Sequence, residues 1–245
     1  MAQSKTCILA DKRKGGCSTC APQCPHYIAL HGLNGAGGRI AAANLPKEYR
    51  HVTLANSKAR TEQAKVYTAI ERYASTFAEG TDKSAYLWSE SPGTGKTTTA
   101  CALINEWIAR QYIGSLRKGE QPAQLLAYFL DVNSFQRLYT GFTRGGIPKE
   151  VAEKNSAIYY RQMAAAERAP FAVFDDIGVR ADTEGFRGDL HAVINYRVTN
   201  GLPTVYTSNL PIKEMATVFD ARLYDRIRDN CGEIHFKGIS KRGRR

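Results

Sequence analysis

Apolar residues in this chain gather into short runs set between longer stretches of helical periodicity. Residues 85–88, 125–130, 171–174 and 203–206 are runs dominated by apolar side chains, with aromatics in each. Runs of that length and density suit strands buried on both faces. Between them, residues 97–112, 149–168 and 184–200 repeat apolar positions at three- and four-residue intervals, which predicts helices. Strands alternating with helices predict an α/β fold with a parallel sheet and crossover helices. Two further helical pieces and a strand at 234–236 close the pattern. Upstream, Val66, Ala69, Ile70, Tyr73 and Phe77 mark one face of a helix, and Gly80 is its expected stop. No internal repeat is visible.

The pattern divides the chain into four stretches: a cysteine-rich segment at 1–44, a linker and lead-in helix at 45–80, the α/β core at 81–236 and a basic tail at 237–245. The 245 residues are 43% hydrophobic and 23% charged, ordinary for a soluble globular protein. No run approaches the roughly 18 apolar residues of a membrane span. The opening MAQSKTCILADKRKGG lacks the apolar stretch of a secretory signal. The expectation is a cytoplasmic protein with no membrane contact. A net charge of +11 favours a polyanionic partner such as nucleic acid.

Between the first core strand and its helix stands ESPGTGKT, residues 90–97. The phosphate-loop pattern is G-x-x-x-x-G-K-[ST], in the strand-to-helix setting that motif demands. Pro92, Gly93, Thr94, Gly95, Lys96, Thr97 and Thr98 form the candidate nucleotide-binding stretch. Gly93 and Gly95 let backbone N–H groups turn toward phosphate, and the helix N-terminus adds partial positive charge. Lys96 suits the β- and γ-phosphates and the Thr97 hydroxyl suits Mg²⁺. Glu90 replaces the first glycine. Ser91-Pro92 already constrain that turn, so the Glu90 side chain is expected to point outward.

FAVFDDIG ends a strand in Asp175 and Asp176. The first suits Mg²⁺, and the second suits a carboxylate that orients and deprotonates an attacking water. PTVYTSNL places Asn209 after the next strand, with Ser208 as the neighbouring candidate. In FDARLYDRIRDN, Arg222 and Arg226 are four apart and share a helix face. That spacing suits either a salt-bridged surface or an arginine finger offered to a neighbouring subunit.

Together these motifs resemble AAA+ ATPases of the helicase-loader type, the DnaC/DnaI family, over roughly residues 45–236. PGTGKT is similar to its Walker A motif, FDDIG to its Walker B, TSNL to its sensor 1 strand end and RLYDR to its box VII arginine motif. The stretch from Leu45 to Phe77 resembles the segment leading into that family's core. The resemblance implies a three-layer P-loop AAA+ core with little or no C-terminal lid, binding ATP/ADP and Mg²⁺. It implies that Asp175 organises Mg²⁺, Asp176 stands in the base position, Asn209 is sensor 1 and Arg226, partnered by Arg222, is the arginine finger. Asp176 is shorter than the usual glutamate, which implies slow turnover, stimulated by DNA or self-assembly. The implied partners are a replicative hexameric helicase, single-stranded DNA and further copies of the chain. An IstB-like transposition helper shares this core, and a zinc-bearing adaptor with a vestigial ATPase would keep its shell. A small-molecule kinase has no use for Asn209 and Arg226.

Four of six cysteines lie in the first 24 residues. Crowding at one end of a cytosolic chain suits a metal site better than a disulfide framework. Cys17, Cys20 and Cys24 give C-x2-C-x3-C, and Cys7 completes a four-thiolate set for structural zinc, with His26 or His31 able to replace Cys7. The run also echoes half of a ferredoxin motif, but Lys14 stands where that motif has another cysteine. The loader family's small zinc-bearing N-terminal module contacts the helicase, and the resemblance implies the same here. Lys12, Arg13, Lys14 and the tail residues Lys237, Lys241, Arg242, Arg244 and Arg245 are the densest positive stretches. In LYTGFTRGG, Tyr139, Phe142 and Arg144 mix aromatic and basic groups in a manner suited to single-stranded DNA.

Overall fold

A computed structural model describes residues 7–12, 23–78, 80–81, 83–178, 183–217 and 221–238. The helices and strands are α1 (Pro25–His31), α2 (Gly38–Ala42), α3 (Lys58–Glu62), α4 (Ala64–Ser75), β1 (Ser84–Trp88), α5 (Lys96–Arg117), β2 (Tyr128–Asp131), α6 (Val132–Thr143), α7 (Lys149–Arg168), β3 (Ala172–Asp175), α8 (Glu184–Thr199), β4 (Thr204–Ser208), α9 (Ala221–Asn230) and β5 (Cys231–His235). The strands form one five-stranded sheet in the order β2-β3-β4-β1-β5. β1 runs parallel to both β4 and β5, and β3 runs parallel to β4. The α/β fold with a parallel sheet is therefore as the apolar runs predict. β3 and β4 are buried along their whole length, while edge strand β5 is largely exposed or half-buried. That difference explains why the expected strand at 234–236 begins earlier, at Cys231: Gly232 and Glu233 are exposed on this edge strand and break the apolar run. Among the described residues no helix is long and apolar enough to cross a membrane.

The chain forms two compact units, Met1–Thr81 with Thr98–Phe129, and Asp82–Thr97 with Leu130–Arg245. In the first, the body of α5 is its spine. Ala100, Cys101, Ala102, Leu103, Ile104 and Ile108 are fully buried, so this helix is apolar on more than one face. The inner face of α4 is Tyr67, Ile70 and Ala74, followed by Phe77. It is turned from the expected one: Ala69 is exposed and Val66 only half-buried. Tyr67 can lie inside because its hydroxyl donates to Ser57 Oγ at 2.6 Å and lies 3.1 Å from Thr99 Oγ1, which meets the need of a buried phenol for partners. Buried charge also holds this unit. The Arg39 guanidinium donates to the carbonyls of Ala29, Pro122 and Ala123 at 2.7–2.9 Å. The buried Glu106 carboxylate receives Lys12 at 2.5 Å and Arg110 at 2.6 Å.

In the second unit, α6 starts on Asp131, whose carboxylate accepts from the N–H groups of Asn133 and Ser134. α8 starts on Thr183, whose hydroxyl accepts from the Phe186 N–H. Both satisfy N–H groups that a helix start leaves unpaired. Arg197 of α8 is fully buried. It donates to the carbonyls of Ala166 and Ala169 at the end of α7, to the Pro203 carbonyl and to Thr204 Oγ1. A cation at those terminal carbonyls is favoured by the helix dipole, and it joins α7, α8 and the start of β4.

Candidate functional site

The C-terminal ends of β1, β3 and β4 are adjacent in the sheet, and each carries a group that the sequence singled out. Ligands of open parallel sheets bind at such strand ends. β1 leads into the loop ahead of α5. Gly93 and Gly95 adopt φ of 73° and 99°, a left-handed region that glycine enters without a Cβ penalty. The Ser91 N–H donates to Ser89 Oγ at 3.3 Å, and the Ser89 N–H donates to the Ser208 carbonyl at 3.3 Å. The loop is thus fastened to the end of β4. Thr94 is buried, Pro92 is exposed and Thr98 is half-buried on the first turn of α5.

Lys96 is buried. Its Nζ donates to Asn209 Oδ1 at 2.8 Å and to the Ser91 and Ser89 carbonyls at 3.4 and 3.5 Å. The structure therefore brings together two residues 113 positions apart that the sequence placed in one site. Thr97 Oγ1 lies 3.0 and 3.1 Å from the two Asp175 carboxylate oxygens. Asp175 is buried, and its pKa is raised to about 7. Burial is the main cause, and the charges of Asp176 and Asp131 add to it. Hydrogen bonds from Thr207 and Thr97 oppose the shift. A buried carboxylate with hydroxyl partners is a place where a cation is favoured. Carboxylate and hydroxyl oxygens are hard donors of the kind Mg²⁺ takes, so Thr97 and Asp175 fit that ion.

Asp176 is half-buried at the head of the turn after β3, with φ of 58°. Non-glycine residues rarely adopt this conformation, though aspartate tolerates it better than most. The residue that sequence reasoning missed stands beside it. Thr207 Oγ1 donates to Asp175 Oδ1 at 2.6 Å and accepts the Asp176 N–H at 2.9 Å. Ser208, the neighbour that the sequence offered instead, donates to the Ile177 carbonyl at 2.8 Å and accepts the Leu210 N–H at 3.1 Å. It braces the turns. The available signal was position: Thr207 lies near the end of the strand that leads to Asn209.

Arg226 stands apart from this group. It is exposed on α9 and donates to Asn195 Oδ1 of α8. The side chain of Arg222 lies outside the described residues. Arg228 pairs with Asp225 and Asp229. The exposed Glu90 carboxylate meets His235 Nε2 of β5 at 3.0 Å, and the His235 ring stacks on Trp88 at 3.9 Å. Its own backbone N–H, and then His235, hold the Glu90 pKa below the usual carboxylate value.

Cys17 and Cys20 lie outside the described residues, as do Arg13, Lys14 and the tail beyond Gly238. Among the described residues no group of three or more His, Cys, Asp or Glu is placed to hold a metal ion. Cys7 is buried and Cys24 half-buried. The Tyr112 pKa is raised, first by burial and then by the nearby Cys24 and Cys7, while its hydroxyl lies 3.0 Å from His26 Nδ1. His31 is buried between the rings of Tyr27 at 4.7 Å and His51 at 5.1 Å, and the Ile8 N–H donates to its Nε2 at 3.4 Å. Tyr139 and Phe142 pack within a cluster that includes Tyr159 and Phe186, so these two rings help build the helical layer.

No protein-family model and no curated protein matches the chain. Solved structures do. A crystal structure of a candidate primosome component from Streptococcus pyogenes serotype M3 matches with a TM-score of 0.55 at 24% identity, covering 83% of this chain and 97% of that one. A crystal structure of DnaI matches at 0.54 and 20% identity, covering 79% and 95%. A crystal structure of the DnaC helicase loader matches at 0.55 and 20% identity, covering 78% and 100%. The structural neighbours of this chain are thus DnaC/DnaI-type AAA+ proteins, and what it shares with them at these identities is the fold.

Proposed function

We propose that this chain is an ATP-dependent loader that places a replicative DNA helicase on single-stranded DNA during replication initiation, with ATP binding and hydrolysis gating assembly and release. The observation that supports it most is the convergence of Lys96, Thr97, Asp175 and Asn209 at three adjacent strand ends, on a fold shared with DnaI and the DnaC helicase loader. In this reading the loop N–H groups and Lys96 hold the β- and γ-phosphates of ATP. Thr97 and Asp175 hold Mg²⁺, which when bound neutralises phosphate charge. Asp176 takes the proton of the attacking water, and Asn209 orients that water. Arg226, with Arg222, serves the site of a neighbouring copy, consistent with its exposure on α9.

The same proposal assigns structural zinc to Cys7, Cys17, Cys20 and Cys24, with His26 as the alternative ligand. The C-x2-C-x3-C spacing of Cys17, Cys20 and Cys24 supports this, since closely spaced thiolates suit zinc. Co-purification with candidate hexameric helicases, with metal analysis of the same sample, tests both parts. Helicase and zinc should be recovered together. Recovery of a transposase with no helicase would replace the loader reading with a transposition helper.

A further inference from the structure

We propose that Thr207 is the positioning residue of this site, holding both aspartates in register for Mg²⁺ and water; this rests on the ATPase reading given above. A threonine hydroxyl has one proton to give and lone pairs to accept with. Thr207 uses both toward the same turn: its proton goes to Asp175 Oδ1 at 2.6 Å, and its oxygen takes the Asp176 N–H at 2.9 Å. Its carbonyl accepts a third bond, from the Ile177 N–H at 2.9 Å. Three consecutive residues, Asp175 to Ile177, are therefore laced to one residue of β4.

Two features make this more than strand pairing. Asp176 is held at φ of 58°, where a non-glycine residue persists only if its surroundings fix it, and Thr207 receives its N–H. Thr207 is also fully buried, so water has little access to replace the hydroxyl. The bond to Asp175 takes one lone pair of Oδ1 and so fixes how that carboxylate is turned relative to Thr97. The Thr207 hydroxyl commits its proton and its acceptor bond to the two aspartates. It acts through the two acids, as residues around a metal ligand commonly do.

Thr207→Val keeps the branched shape and removes the hydroxyl. Its turnover of ATP should fall by roughly 10- to 100-fold, the usual penalty for losing such a partner. Affinity for a fluorescent ATP analogue in EDTA should stay within about twofold, while the Mg²⁺ concentration for half-maximal tightening of that binding rises by about tenfold. Thr207→Ser, which restores the hydroxyl, should recover both to within about threefold. Should the valine chain fail to fold, Thr207→Cys, a weak hydrogen-bond donor, is read by the same two measurements. An active wild-type chain matched by the valine or cysteine variant in turnover and Mg²⁺ requirement overturns the inference alone. A wild-type chain that neither binds nor hydrolyses ATP overturns the ATPase reading and the inference with it.

Discussion

The phosphate site and the cysteine-bearing unit are ordered by different means. At the phosphate loop, short polar side chains at three strand ends fasten one another: Lys96 to Asn209, Thr97 to Asp175, Asp175 to Thr207. Its groups are set at strand ends and on the first turn of α5, and the cation and the carboxylate are partnered by neutral oxygens that a ligand can replace. The other unit buries charge and closes it off. Arg39 is spent on three carbonyls, and Glu106 on two cations. Buried charge satisfied in full stabilises a fold only while every partner stays. At the phosphate loop the partners are few and lie at strand ends where ligands bind, so Lys96 and Asp175 are poised for a partner of opposite sign.

Substitutions separate the two cases. Lys96→Ala should weaken ATP binding by about a hundredfold or more, equivalent to about 2.7 kcal/mol, with little change in the unfolding midpoint. Fluorescent-nucleotide titration beside thermal melting reads both. Arg39→Met should do the reverse. Three carbonyls lose their donor, and stability in urea should drop by about 3 kcal/mol. A variant as stable as wild type would remove Arg39 from the account of that unit.

The histidine sandwich supplies a pH dependence. Burial, and then the charge of His51, lower the His31 pKa from 6.5 to about 4. Between those values the unfolded chain binds a proton that the folded chain refuses. Stability is therefore full above about pH 6.5, falls as pH drops and levels off below about pH 4. The loss from this group is about 3 kcal/mol at most. His31→Phe should flatten that part of the curve, measured as urea midpoints from pH 7.5 to 4.5. An unchanged slope would mean that His31 is not held neutral by its stack. The smallest effect belongs to Glu90→Gly, which restores the common loop residue. Because the Glu90–His235 pair is exposed, nucleotide affinity should change by less than about threefold. A larger change would give Glu90 a part in the site.

Legibility follows the same divide. The loop, the paired aspartates and Asn209 are contiguous words that carry their own chemistry, and the strand-helix alternation around them follows local periodicity. Thr207 was hidden because its partners come from another strand and the turn after it. In the cysteine-bearing unit the partners are far apart in sequence, with Lys12 and Glu106 separated by 94 positions and Arg39 and Ala123 by 84. No short pattern announces such pairs. The α4 face was misaligned for a related reason: a tyrosine that reads as half-polar lies inside, because Ser57 and Thr99 are there to meet its hydroxyl.

The most direct test of the central proposal is transfer of a hexameric replicative helicase to single-stranded DNA by the purified chain, compared with Lys96→Ala, with and without ATP. The account predicts helicase retained on DNA with wild-type protein and ATP, and little retained when either is missing. Equal retention with Lys96→Ala, or without ATP, would contradict it.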